Sequence, residues 1–118
     1  MDGMTSIALI LEILGRLGGV CGYFLPSRFA DGYGLKKESV DRCIQDGARL
    51  IVSVDCGTNS TEEILYAKSR GVDFIVLDHH EHTGAPFEAV AVVNPKRKDS
   101  VYKEELASAG ISFKLAML

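Results

Sequence analysis

Cysteine is scarce, with three residues in 118, Cys21, Cys43 and Cys56. The number is odd and no Cys-x-x-Cys pair occurs, which argues against a zinc knuckle or a disulfide framework. A reducing, cytoplasmic setting is expected. Long hydrophobic runs are lacking too. The stretch 7–17 is apolar, but Glu12 and Arg16 interrupt it and it is too short to span a bilayer. Neither a secretory leader nor a membrane partner is expected. Positive charge is not in excess. Thirteen Lys and Arg stand against sixteen Asp and Glu, for a net charge of −3. This excludes a nucleic-acid binder held by broad basic charge alone. It leaves room for a metal-dependent enzyme with a local basic channel, because bound cations reverse the sign of an acidic site. There is no internal repeat and no low-complexity segment. What the chain does have is a hydrophobic fraction of 47%, enough for the core of one small domain.

Two short runs carry most of the information. Leu50-Ile51-Val52-Ser53-Val54 and Asp73-Phe74-Ile75-Val76-Leu77 are apolar and contain β-branched residues, the pattern of buried strands. The first delivers Asp55, then Cys56-Gly57; the second delivers Asp78-His79-His80. Between them, 59–70 reads as helical. A strand–helix–strand unit makes the two strands parallel, with a right-handed crossover. Asp55 and the Asp-His-His triplet then share one sheet edge, the carboxyl edge where open α/β sheets bind ligands. Carboxylates together with imidazoles suit a divalent transition metal such as Mn²⁺, whereas carboxylates alone suit Mg²⁺. Singly, each residue has a plainer use. An Asp at a strand end forms turns or caps helices, and a His-His pair in a loop is solvated. The combination is what points to a metal.

The remaining segments are read in order. Asp2-Gly3 looks like the end of a strand, and a native first strand is expected to be missing from the chain. Residues 7–14 form a helix buried on most sides, capped by Thr5 or Ser6 and ended by Gly15, Gly18 and Gly19. Residues 20–25 are a candidate strand stopped by Pro26, and 27–34 a glycine-containing loop. Residues 36–46 are amphipathic, with Val40, Cys43 and Ile44 on one face and Gly47 as the C′ residue. After the triplet, 81–88 is a polar loop and 89–93 a further strand ended by Asn94-Pro95. Lys96-Arg97-Lys98 is either a solvated turn or a phosphate contact. Residues 104–118 read as a helix packed through Phe113, Leu115 and Leu118. Cys56 fills a tight turn and has no adjacent base to activate it. His82 is expected to be solvated.

These pieces in this order resemble the DHH phosphoesterase superfamily and, within it, the RecJ single-strand-specific exonucleases. The resemblance rests on Asp2-Gly3-Met4-Thr5-Ser6, Ser27-Arg28, Gly32-Tyr33-Gly34 and Val54-Asp55-Cys56-Gly57. It continues through Asp78-His79-His80, Val93-Asn94-Pro95-Lys96 and Ala109-Gly110-Ile111-Ser112-Phe113-Lys114. Asp-His-His alone marks the superfamily. The Gly-Tyr-Gly loop, the Asp-Cys-Gly strand end and the Asn-Pro-Lys segment look more like RecJ.

The resemblance implies an α/β fold, a parallel-sheet three-layer DHH-type domain. Residues 1–118 would form part of it, incomplete at both ends. It implies a two-metal site for Mn²⁺ or Mg²⁺ that cleaves phosphodiesters, with single-stranded DNA as partner and substrate, degraded 5′ to 3′ in repair and recombination. Asp55 would bridge the ions, and Asp2 and His79 would bind one of them. His80 would contact the scissile phosphate or support the site. Asp78 would orient the histidines. Two cations about 3.5–4 Å apart activate a water and stabilise the leaving oxygen. The imidazoles must be neutral to ligate, so activity is expected to fall in acid. Arg28 is a surface ion-pair residue or a phosphate contact, and Tyr33 a packed loop aromatic or a base-stacking residue.

Two departures stand out. Met1 occupies the position before Asp2, so the first acid of the family's Asp-x-Asp-Gly motif is absent. The family's last acidic ligand has no match among Asp99, Glu104 and Glu105. The full-length protein is therefore expected to be an exonuclease and this chain weak or inactive alone. The alternatives are a related hydrolase of short oligonucleotides, cyclic dinucleotides or pyrophosphate, or a metal-binding module without catalysis.

Overall fold

The computed structural model describes residues 2–24, 35–84 and 86–99. Three strands, β1 (Leu50–Val54), β2 (Asp73–Leu77) and β3 (Ala91–Val93), form one sheet in the order β1-β2-β3. Both pairings are parallel, and the register sets Val54, Leu77 and Val93 in one row. Helices α1 (Asp2–Arg16), α2 (Lys37–Gln45) and α3 (Thr61–Ser69) complete the described elements. The α/β class matches the expectation, and β1 and β2 match it residue for residue.

Side chains alternate across a strand, so Phe74, Val76 and Val92 share one face. With Val40, Ile64, Ala67 and Val72 they form the buried core under α2 and α3. Tyr66 of α3 donates to Asp41 of α2 and fixes the helices to each other. All three helices end in the same way. The amides of Gly18, Gly47 and Gly71 bond back to Gly15, Ile44 and Lys68, and those of Gly19, Ala48 and Val72 to Leu14, Cys43 and Ala67. These are Schellman caps. Each needs a left-handed residue at C′, and the three glycines have φ of 83°, 91° and 78°.

Residues 2–24 correct the reading. Asp2 and Gly3 lie in the first turn of α1 rather than ending a strand, and the helix passes through Thr5 and Ser6 instead of being capped by them. It runs on beyond Gly15 to Arg16. It is not buried on most sides. Ser6 is its one wholly buried side chain among the described residues; Ile7, Leu9, Ile10 and Ile13 are half-buried, and Met4 is exposed. Residues 20–24 are not a strand. Val20 and Tyr23 are exposed, and a strand without a ladder partner or a covered face gains nothing to offset its ordering. The later strand is shorter than expected, although the Val90 amide still bonds to Phe74 O at 2.9 Å. The loop 27–34, with Arg28 and Tyr33, and the segment 104–118 lie outside the described residues.

Candidate metal centre

Each strand hands its next residue to the same edge. Asp55 follows β1, Asp78 follows β2 and Asn94 follows β3. The ladder continues one step past the strands, because the Asp55 amide bonds to Leu77 O at 2.9 Å and the Asp78 amide to Val93 O at 3.0 Å. The backbone therefore fixes these residues before their side chains contribute anything.

Asp55 sits at φ 62°, the one non-glycine residue with positive φ among those described. Aspartate visits this region more readily than most residues, at a cost of about 1–2 kcal/mol. The turn that holds it there is crowded. Ser53 Oγ donates to Cys56 O at 3.0 Å. Gly57 is at φ 110°, and a Cβ on it would lie 2.6 Å from Ser53 Oγ and 3.2 Å from a Val76 methyl. Cys56 is enclosed by this turn. Burial first, and the charges of Asp78 and Asp55 after it, push its thiol up to about 12. It stays protonated and unreactive near neutral pH, as its place in a tight turn suggested.

Asp78 is 1% exposed and surrounded by donors. Its Oδ2 accepts the Thr58 amide at 3.1 Å and the Thr58 hydroxyl at 2.6 Å. Its Oδ1 accepts the His79 amide at 2.8 Å and meets His80 Nδ1 at 2.6 Å, with the His80 amide at 3.4 Å. Burial alone would raise its pKa, but the Thr58 hydroxyl, the His80 ring and the amides of His79 and Thr58 outweigh burial and hold the carboxyl below the usual range. An ionised carboxylate only accepts, so His80 Nδ1 carries the proton and the Nε2 lone pair is left for another partner.

His79 Nε2 lies 2.8 Å from Asp55 Oδ1, and the two imidazoles stack with centroids 4.8 Å apart. Asp55, Asp78, His79 and His80 each offer a ligand atom within 4.8 Å of the others. The donor set fits a divalent transition metal: a carboxylate oxygen from Asp55 and imidazole nitrogens from His79 and His80. Asp78, filled by its donors, serves better as their support.

Other sequence candidates fall differently. Lys96-Arg97-Lys98 is not a plain solvated turn. Arg97 donates to both carboxylate oxygens of Asp99 at 2.9 and 2.7 Å and to Val92 O at 2.8 Å, and its guanidinium lies over Phe87. Lys96 is 3.5 Å from Glu81. His82, expected to be solvated, is half-buried and stacks on Phe87 with centroids 4.2 Å apart. Residues missed from the sequence are Thr58, Asn59 and Asn94. Asn59 bonds to Glu81 O and accepts from the Thr83 amide, both at 2.8 Å, tying down the loop after the histidines. The available signal was position, since Asn94 is to β3 what Asp55 and Asp78 are to the first two strands.

A parallel sheet with an Asp-His-His carboxyl edge defines a class, and the chain belongs to it. Over residues 1–118 it matches the DHH family, N-terminal domain. It is similar to the single-stranded-DNA-specific exonuclease RecJ of Bacillus subtilis, with 36% identity over 116 residues, 98% of this chain and 15% of that protein. The RecJ of Escherichia coli is 40% identical over 118 residues, 98% of this chain and 20% of that protein. A crystal structure of exonuclease RecJ bound to manganese matches with a TM-score of 0.85 and 33% identity, covering 98% of this chain and 29% of that one. The chain thus spans a fifth or less of the length of these curated relatives. No helix among the described residues is long and apolar enough to cross a membrane.

Proposed function

We propose that this chain supplies the Asp-His-His part of a manganese-dependent phosphodiesterase site, in a protein that degrades single-stranded DNA from an end. The observation that carries this is the convergence of Asp55, Asp78, His79 and His80 ligand atoms within 4.8 Å. It is joined by the likeness to RecJ exonucleases, one of them bound to manganese. Asp55 and His79 would hold metal, with Asp2 as a further ligand and Asp55 shared between two ions. Asp78 orients the histidines through Oδ1. His80, with Nδ1 committed to Asp78, presents Nε2 to the scissile phosphate or to metal. Bound manganese would activate water and stabilise the leaving oxygen. Arg28 and Tyr33 are assigned to the DNA strand. The activity is assigned at the level of a protein of the relatives' length, in cytoplasmic DNA repair and recombination with 5′ to 3′ polarity.

Calorimetric titration of the chain with Mn²⁺, beside Asp55→Ala and His79→Ala, tests the site. Binding by the parent that falls at least about tenfold in both variants is the expected result. Equal binding by all three proteins would place the metal elsewhere and remove the proposal.

A further inference from the structure

We propose that Thr58 and Asn94 are positioning residues for His80, acting as a directed hydrogen-bond chain that ends on its ring. The inference rests on the metal-site reading above. Both residues are buried, at 4% exposure each. They come from different strands, Thr58 from the loop after β1 and Asn94 from the end of β3, and meet Asp78 from β2 between them.

The direction of the chain follows from counting protons. The Lys96 amide donates to Asn94 Oδ1 at 2.9 Å, so the other end of the side chain is the NH₂ group. That group has two protons and two partners, Thr58 Oγ1 and His80 O, each at 2.8 Å. With Asn94 donating to it, the Thr58 hydroxyl cannot spend its single proton on Asn94 and gives it to Asp78 Oδ2 at 2.6 Å. Together with the Thr58 amide this holds one carboxylate oxygen, and the other is left turned to His80 Nδ1. His80 is therefore gripped twice, at its carbonyl by Asn94 and at its ring by Asp78. Without the Thr58 hydroxyl Oδ2 keeps only the longer bond from the Thr58 amide, and the carboxylate is held less firmly against rotation. Without Asn94 the hydroxyl proton can point away, and the His80 carbonyl loses its partner. The Thr58 hydroxyl is engaged by Asp78 and Asn94, and the Asn94 amide by Thr58, His80 O and the Lys96 amide, so their effect is exerted through Asp78 and His80.

The test compares the parent chain with Thr58→Val, Thr58→Ser and Asn94→Ala. Thr58→Val keeps the shape and removes the hydroxyl; Thr58→Ser keeps the hydroxyl. The first readout is the ¹⁵N spectrum of the His80 ring in metal-free protein at alkaline pH, which reports its tautomer. The second is Mn²⁺ affinity by calorimetry. The parent and Thr58→Ser are expected to show one Nδ1–H tautomer and affinities within about twofold. Thr58→Val and Asn94→Ala should show mixed tautomers and bind Mn²⁺ roughly ten- to a hundredfold more weakly, the usual effect of losing a residue that supports a ligand. A folded Thr58→Val with the parent's tautomer and affinity overturns the proposal. So does a parent whose His80 lacks the Nδ1 proton, a result that needs no variant to fold. One tautomer in the parent and mixed tautomers in Thr58→Val and Asn94→Ala, with no Mn²⁺ bound by the parent, would uphold the positioning chain and defeat the metal reading.

Discussion

Strand β2 begins on one aspartate and is followed by another, and the two have little else in common. Asp73, at the amino end, is exposed. Asp78, past the carboxyl end, is buried and accepts from Thr58, His79 and His80. The contrast extends across the sheet. Ser53, Thr58, Asp78 and Asn94 are buried polar residues at or near the carboxyl end, while Leu50 and Ala91 at the amino end are exposed. Burying polar groups is costly unless every one is bonded. The molecule accepts that cost at one end of the sheet only, the end that carries the histidines.

Breaking the contrast should be easiest at Asp78. Asp78→Ala strands the Thr58 hydroxyl, the backbone amides and the His80 ring, and should lower stability by about 3–5 kcal/mol in urea unfolding, as when one partner of a buried charged group is removed. Next comes Gly57→Ala. Its φ of 110° and the 2.6 Å approach to Ser53 Oγ should cost about 2 kcal/mol in the same assay. A wild-type urea midpoint there would mean that the turn accommodates a methyl group without strain. Smallest is Asp73→Asn, which should stay within about 0.5 kcal/mol of the parent, as for most exposed substitutions. Comparable losses at Asp73 and Asp78 would end the distinction between the two ends of β2.

How much of this was legible in the sequence follows from what each signal measures. A continuous β-branched run bounded by glycine specifies a buried strand locally. β1 and β2 were therefore read to the residue, and Asp55 and Asp78-His79-His80 came with them. Asn94 is legible as the stop before Pro95 and as part of the Asn-Pro-Lys resemblance, but its role is not, because that depends on register across three strands that no local window contains. Residues 20–24 were misread for the complementary reason: apolar character indicates a wish for burial, not the presence of a partner. The basic cluster was ambiguous because charge spacing does not reveal that Arg97 is occupied by Asp99, Val92 and Phe87. The roles of Arg28 and Tyr33 rest on the resemblance.

The row of Asp55, Asp78 and Asn94 also acts as a check on assembly. Val54, Leu77 and Val93 are aligned in the native pairing. If β3 docked one residue out of step, Val93 or Pro95 would stand where Asn94 belongs, and neither has a side-chain donor. The Thr58 hydroxyl and the His80 carbonyl would each lose a bond in a buried place, at about 1–3 kcal/mol apiece. The strand's alternating faces would be exchanged as well. The edge that presents the histidines thus also proofreads the sheet, since a mispaired third strand cannot complete it.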